Sequence, residues 1–300
     1  EDCMKGKKEA MKKQGDEFME QENYKEGFSC YDKALKIDPS YKDAVKAKKE
    51  GVKKIAHDKV LENKNYREAL KYYMEKFNID IEDSSYVKAI IAYNRGKYDE
   101  ALKYFTEGLK IDPDDIDLLT GKGMALLKQK HIKESIDCFD RALKIDKKHA
   151  KALYGKGLAL HYNGKYEEAI KYYDGALKIN PTYADVWNGK GFLLYNNGKY
   201  GEALECYKKA LEIEPQKTLT LMNTGNALYA LKQYEESIAY YKKVLEIEPG
   251  NKHAWFNQGN ALYSMEKYRE AIKCYNRALL IDRHFVPAIK AKNDAKKTLR

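Results

Sequence analysis

The side chains that most often carry out enzymatic chemistry are few in this sequence and share no regular spacing. The six histidines are His57, His131, His149, His161, His253 and His284. The sequence contains none of the patterns HExxH, GxSxG or GxxxxGK[ST], which mark zinc proteases, serine hydrolases and phosphate-binding loops. Paired acids such as Glu167 and Glu168 stand where helices are expected to begin, and there negative charge suits the helix dipole. We therefore expect no enzymatic activity, no cofactor and no metal site.

The cysteines also give no sign of a chemical centre. There are five, and no two have the CxxC spacing: Cys3, Cys30, Cys138, Cys206 and Cys274. An odd number without CxxC argues against a disulfide framework and against a zinc site. We interpret the cysteines as packing residues rather than redox groups, and we expect a reducing, cytoplasmic environment.

Composition and charge exclude several other classes of protein. The chain has 300 residues, of which 43% are hydrophobic and 34% are charged, as is typical of a folded protein. No apolar run approaches the ~18 residues that a membrane-spanning helix needs, so we expect no membrane segment. The net charge of +10 weakly favours acidic partners, but lysines alternate with glutamates along almost the whole chain. This interleaving is typical of a solvated surface.

The strongest signal is an internal repeat. Tyr166, Tyr200, Tyr234 and Tyr268 each stand in a "KY" or "QY" pair, and consecutive members are 34 residues apart. We divide the chain into repeats 1 to 8, in which position 1 is the first residue of each repeat. The repeats are 8–41, 42–81, 82–115, 116–149, 150–183, 184–217, 218–251 and 252–285, followed by a capping helix at 286–300. Repeat 2 is irregular, and the whole of 1–300 is predicted to form one array.

Each repeat is predicted to form two helices. In repeat 6, Trp187, Gly191 and Leu194 have the i, i+4, i+7 spacing of one helical face. Gly198 follows in a loop, where it can adopt the left-handed conformation that ends a helix. A second helix would then bury alanines and Tyr207 until Pro215 stops it.

The repeat resembles the tetratricopeptide repeat family. In repeat 8 the residues that match the family motif are Trp255, Gly259, Tyr268, Ala271, Tyr275 and Ala278. Arg283 replaces the usual proline there, and His57 in repeat 2 replaces the expected glycine. The resemblance implies an all-α fold, a right-handed superhelical solenoid of about eight helix-turn-helix repeats with a C-terminal capping helix.

The resemblance also implies that the first helices line a concave groove with positions 2, 5, 9 and 12. The predicted groove residues are Tyr86, Tyr93, Tyr154, His161, Asn188, Phe192, Tyr195, Asn223, Asn226, Tyr229, Phe256, Asn257, Asn260 and Tyr263. These helices are apolar on two adjacent stripes, and an exposed aromatic stripe often marks a binding surface. The alternative is that positions 9 and 12 pack between successive first helices.

The asparagines of repeats 7 and 8 add a polar element to the predicted groove. Asn223, Asn226, Asn257 and Asn260 occupy positions 6 and 9. A side-chain amide offers a donor and an acceptor, so it can pair with an extended peptide backbone. This arrangement resembles the asparagine ladder of some family members. The alternative is that asparagine is simply common at these positions.

Three functions remain open from the sequence. The leading hypothesis is a non-enzymatic protein-interaction scaffold that binds an extended or helical segment of a partner protein in its groove. Net charge and 26 tyrosines also allow single-stranded nucleic-acid binding, although basic residues gather at 42–59 and 290–300 and are nearly absent from the groove stripe. The third is the substrate-targeting region of a larger enzyme. The partner's identity and self-association are also open.

Overall fold

The computed structural model describes residues 2–21, 23–58 and 85–299, and its regular structure in these ranges is entirely α-helical. By internal packing the chain divides into two compact units, Glu1–Ile145 and Asp146–Arg300. The helices of unit 1 are α1 (Asp2–Glu20), α2 (Tyr24–Ile37), α3 (Lys42–Asp58), α4 (Ser85–Asn94), α5 (Tyr98–Ile111), α6 (Ile116–Lys128) and α7 (Ile132–Ile145). The second half of repeat 2 and the side chain of His57 lie outside the described residues.

Unit 2 contains repeats 5 to 8, each a pair of helices, and the terminal helix. Its helices are α8 (Ala150–Tyr162), α9 (Tyr166–Ile179), α10 (Ala184–Asn196), α11 (Tyr200–Ile213), α12 (Thr218–Ala230), α13 (Tyr234–Ile247), α14 (Lys252–Ser264), α15 (Tyr268–Ile281) and α16 (Val286–Thr298). Within this unit each second helix packs between its own first helix and the next first helix. The prediction of an all-α fold of helix-turn-helix repeats is confirmed.

The loop between the two helices of a repeat is closed by a left-handed residue at position 15. Gly198 has φ +75°. Its N–H donates to the carbonyl oxygen of Tyr195 at 2.9 Å, and the N–H of Lys199 donates to that of Leu194 at 2.9 Å. This pair of hydrogen bonds forms the Schellman motif. It satisfies backbone carbonyl groups that have no partner within the helix at its C-terminal end. The prediction for Gly198 agrees with the structure.

The two helices of a repeat meet where an aromatic ring lies on a glycine. A Cβ atom built on Gly225 would lie 2.5 Å from Cε1 of Tyr241, sixteen residues further on. The same contact joins Gly191 to Tyr207, where the distance would be 2.7 Å. These distances are far below van der Waals contact, so position 8 has no room for a side chain. Both tyrosine side chains are fully buried as a result.

The hydrophobic core continues from one repeat into the next. One cluster joins Leu194 of α10, Tyr207 of α11 and Leu228 of α12, so it extends from repeat 6 into repeat 7. One helix pair cannot bury its own apolar face, and stacking the pairs supplies the missing cover. The last repeat receives this cover from α16, whose Ala288 and Ala295 are fully buried.

Four cysteines are buried as free thiols: Cys30, Cys138, Cys206 and Cys274. Burial raises the pKa of Cys206 and of Cys274 to about 11. A thiol with such a pKa stays protonated at neutral pH and is a poor nucleophile. The geometry therefore supports the packing interpretation of these residues.

Substituting Gly225 tests the aromatic-on-glycine contact. We expect Gly225→Ala to lower the unfolding free energy by about 1–3 kcal/mol, because Tyr241 must move to admit the methyl group. Urea unfolding followed by circular dichroism measures this change. Gly201→Ala is the matched control, since a Cβ there meets nothing within 4 Å and alanine favours the helix. Equal effects of the two substitutions would contradict the proposed packing role.

Candidate functional site on the first helices of unit 2

The predicted groove residues of unit 2 lie together on one face of α8, α10, α12 and α14. We call the side chains at positions 5, 6, 9 and 12 of repeats 5 to 8 the first-helix face. Successive first helices in the unit contact one another, so this face is continuous from α8 to α14. The predicted residues on it are half-buried or exposed: Tyr154, His161, Asn188, Phe192, Tyr195, Asn223, Asn226, Tyr229, Phe256, Asn257, Asn260 and Tyr263. Tyr86 and Tyr93 are half-buried on α4 in unit 1.

The tyrosines at position 12 each pack against a ring of their own repeat. The ring centroids of Tyr195 and Tyr200 are 5.1 Å apart, and those of Tyr263 and Tyr268 are also 5.1 Å apart. In each pair the second residue begins the second helix of the same repeat. Tyr229 and Tyr93 make the same contact with Tyr234 and Tyr98. The residue at position 12 therefore packs against another ring and is also partly exposed.

The aromatic residues at position 5 pack against the end of their own repeat. The ring of Tyr154 lies 5.2 Å from that of Tyr183, between centroids, and the ring of Phe256 lies 5.4 Å from that of Phe285. Burial raises the pKa of Tyr154 far above its usual value. These two side chains thus hold the turn that leads to the following helix.

The asparagines at position 9 accept hydrogen bonds from the hydroxyl groups of buried tyrosines. The hydroxyl of Tyr241 donates to Oδ1 of Asn226 at 2.9 Å, and that of Tyr275 donates to Oδ1 of Asn260 at 3.0 Å. Repeat 5 has Leu158 at this position instead. The hydroxyl of Tyr173 there is buried and has no hydrogen-bond partner among the described residues.

The side-chain amides also bond to one another between repeats. Nδ2 of Asn223 donates to Oδ1 of Asn188 at 3.0 Å, which joins repeats 7 and 6. Nδ2 of Asn257 donates to Oδ1 of Asn226 at 2.9 Å, which joins repeats 8 and 7. The sequence predicted Asn223, Asn226 and Asn257 as partners for a peptide backbone and Asn188 as a groove residue. The structure shows that each is also bound within the protein, which fixes its orientation.

An exposed aromatic group stands at the junction of repeats 5 and 6. The imidazole of His161 stacks on Tyr162, with ring centroids 5.3 Å apart, and contacts Phe192 at 5.4 Å and Tyr166 at 5.9 Å. We call His161, Tyr162, Tyr166 and Phe192 the aromatic patch. Tyr162 is 60% exposed, Tyr166 43% and Phe192 38%. Burial lowers the pKa of His161, so its ring is neutral at pH 7 and the whole patch is uncharged.

Two members of the aromatic patch were missed by the sequence prediction. Tyr162 occupies position 13, where the later repeats have Asn196, Ala230 and Ser264. This difference between repeats was visible in the sequence and could have identified Tyr162. Tyr166 occupies position 17, which is tyrosine in every repeat of unit 2, so no such difference marked it.

Charge contributes little to the first-helix face. Asp185 lies at position 2 of repeat 6, and its carboxylate accepts a hydrogen bond from Nζ of Lys217 at 2.6 Å.

No group of three or more His, Cys, Asp or Glu side chains in the described residues is placed to hold a metal ion. Of the described helices, none is both long enough and apolar enough to span a membrane.

Family models described as tetratricopeptide repeat match most of the chain. One model matches residues 83–115, 184–217, 219–251 and 253–285. Two further models with the same description match residues 120–184 and 9–41. A comparison with curated proteins finds no match.

Solved structures are similar to this chain at low sequence identity. A crystal structure of YrrB, described as a TPR protein with an unusual peptide-binding site, has a TM-score of 0.55 and 23% identity, over 63% of this chain and 97% of that chain. PilF of Pseudomonas aeruginosa has a TM-score of 0.63 and 18% identity, over 71% of this chain and 96% of that chain. A crystal structure of MamA has a TM-score of 0.46 and 25% identity, over 54% and 94%.

The tyrosine hydroxyls allow a paired test of the position 9 contacts. We expect Tyr241→Phe to lower the unfolding free energy by about 0.5–1.5 kcal/mol, because Asn226 loses its hydroxyl donor. Tyr173→Phe should leave stability unchanged or raise it, since that hydroxyl is buried without a partner. Urea unfolding of both variants is the measurement. A larger loss for Tyr173→Phe than for Tyr241→Phe would show that the hydrogen-bond assignment is wrong.

Proposed function

We propose, because the chain belongs to the tetratricopeptide repeat family, that this protein is a non-enzymatic scaffold whose first-helix face binds a segment of a partner protein. The segment would lie in an extended conformation along repeats 5 to 8, in the concave groove that the first helices of this family line. YrrB, which shares the fold, is described as having a peptide-binding site, and the proposal extends that class of ligand to this chain.

The observation that carries this proposal is the exposed part of the aromatic patch. Packing accounts for most aromatic rings on the face, because position 5 and position 12 side chains contact other rings of their own repeat. Tyr162, Tyr166 and Phe192 keep large exposed fractions after this packing is complete. Clustered exposed rings are favourable to bury, and such residues dominate the binding energy of many interfaces.

The chemistry of the face favours a protein segment over a nucleic acid. Binding of single strands relies on lysine and arginine that neutralise phosphate, together with stacking on aromatic rings. The aromatic patch has rings but is uncharged, and Lys217 beside the face is engaged by Asp185 and Glu214 at 2.6 Å each. The half-buried asparagines offer hydrogen bonds suited to a peptide backbone.

A pull-down from a lysate tests the proposal. We expect a protein that stays bound after nuclease treatment and a high-salt wash, since apolar contacts and neutral hydrogen bonds are weakly screened by salt. Phe192→Ala should reduce its capture about tenfold, because the variant removes an anchor ring from the aromatic patch. Quantitative mass spectrometry of the bound fraction measures the change.

Leu280→Ala is the matched control for this experiment. Leu280 is also exposed and apolar, but it lies on the second helix α15, away from the first-helix face. Capture that falls equally in both variants would indicate nonspecific adhesion. Recovery of nucleic acid that leaves with salt would overturn the proposal.

A further inference from the structure

The C-terminal end of unit 2 concentrates positive charge. Residues 267–300 hold ten basic and three acidic side chains, which gives a net charge of +7. Repeats 6 and 7, at 184–251, hold eight basic and nine acidic side chains. Acidic and basic residues therefore balance in the middle of the unit, whereas the end formed by α15 and α16 has an excess of positive charge.

Ion pairs do not neutralise this excess. In repeat 6, Nζ of Lys199 lies 3.2 Å from the carboxylate of Glu202. Arg277 on α15 and Lys290 and Lys296 on α16 are exposed, and they make no ion pair with another described residue. Like charges that gather without counter-charges create a positive potential, and this potential attracts a negatively charged partner.

The same end carries aliphatic side chains that packing does not require. Leu280 is 73% exposed at position 29 of repeat 8, where repeats 1 and 3 to 7 have lysine or glutamate. Val286, the first residue of α16, is 70% exposed, and Ile289 lies one helical turn further on. Single exposed aliphatic residues are common, but three within ten residues of one another indicate an apolar contact with a partner.

The turn between α15 and α16 holds these side chains in place. Nζ of Lys252 on α14 donates to Oδ2 of Asp282 in the turn at 2.7 Å. The ring of Phe285 lies 5.4 Å from that of Phe256, between centroids. The exposed aliphatic residues stand on either side of this anchored turn. Side chains exposed to this extent protrude from the surface and do not line a cleft.

The composition of this end favours a lipid surface over a protein or a nucleic acid. Protein interfaces are depleted in lysine, and leucine and valine are rare among the residues that dominate their binding energy. Single-stranded nucleic acids stack on aromatic rings, but Phe285 in the turn is packed against Phe256. A membrane with anionic lipids attracts lysine and arginine to its headgroups and accepts aliphatic side chains at the boundary beneath them.

We propose that this end of the array docks on the surface of a membrane that contains anionic phospholipids. The terminal surface, as we call it, consists of Arg277, Leu280, Val286, Ile289, Lys290 and Lys296. Its basic side chains contact lipid phosphates, and its aliphatic side chains enter the boundary between headgroups and acyl chains. Such peripheral binding needs no membrane-spanning helix. The terminal surface is separate from the first-helix face, so this proposal does not rest on the proposed function.

Sedimentation with lipid vesicles tests the proposal. One set of vesicles is phosphatidylcholine alone, and the other is equal parts of phosphatidylcholine and phosphatidylglycerol. We expect the protein to bind the anionic vesicles, and more weakly as salt is raised. The triple variant Arg277→Gln, Lys290→Gln, Lys296→Gln should bind them about tenfold more weakly, because three attractive charges are lost. Leu280→Ser with Val286→Ser should bind about fivefold more weakly, because less apolar surface is buried.

Matched controls make the same changes elsewhere on the surface. Lys144→Gln, Lys147→Gln with Lys148→Gln removes the same charge at exposed positions. Ile111→Ser with Leu219→Ser removes aliphatic side chains that are 76% and 58% exposed. Both controls should bind anionic vesicles as the wild type does. All substitutions are at exposed positions, and urea midpoints equal to that of the wild type show that the fold is intact.

Three results would each overturn the proposal: no binding to anionic vesicles, equal binding to both kinds of vesicle, or equal losses in the terminal and control variants. Labelled polyglutamate and a labelled single-stranded oligonucleotide are measured alongside. Binding of either one without binding of vesicles would assign the terminal surface to that class of partner instead. Phe192→Ala should bind vesicles as the wild type does, so this experiment and the capture of a protein from lysate succeed or fail independently.

Discussion

The close approach of an aromatic ring to a glycine is the contact on which the repeats of unit 2 depend. Tyr241 lies against Gly225 so closely that a methyl group would overlap the ring, and the same geometry recurs at Gly157, Gly191 and Gly259. Because the ring fills the space between the two helices, it sets how near they come. The separation then decides which residues face the next repeat and which stay on the surface. The first-helix face consists of side chains of the first helices that lie outside this contact.

The same tyrosines connect the core to the surface. All four rings are buried, and the hydroxyls of Tyr241 and Tyr275 donate to Asn226 and Asn260 at position 9 of their first helices. A residue that the sequence places in the groove therefore also completes the core. In repeat 1 Asp16 performs this role for Tyr31, while in repeat 5 Leu158 does not. Packing and the proposed binding thus share side chains, and the core tyrosines engage the amides of Asn226 and Asn260.

Much of the fold was predictable because packing imposes a period on the sequence. The spacing of Tyr200, Tyr234 and Tyr268, the left-handed Gly198 and the glycine of each first helix all reflect local rules of helices and turns. The set of residues on the face was predictable for the same reason, since helical spacing decides which side chains share a side. Which of these residues would pack inside the protein was not predictable, because aromatic residues such as Tyr195 and Phe192 differ in what the fold places opposite them. Tyr195 meets Tyr200, whereas Phe192 keeps an exposed edge.

The sequence by itself determined the family, the helix pairs and the stripe of candidate residues, because these depend on contacts that recur every repeat. Only the tertiary structure decided the partners of Asn188, Asn223, Asn226 and Asn257, since those hydrogen bonds cross from one repeat to another. It also brought Tyr162 and Tyr166 together around His161. The physical reason is that an amide or an exposed ring is chemically versatile, and its role depends on which neighbour the folded chain places within reach.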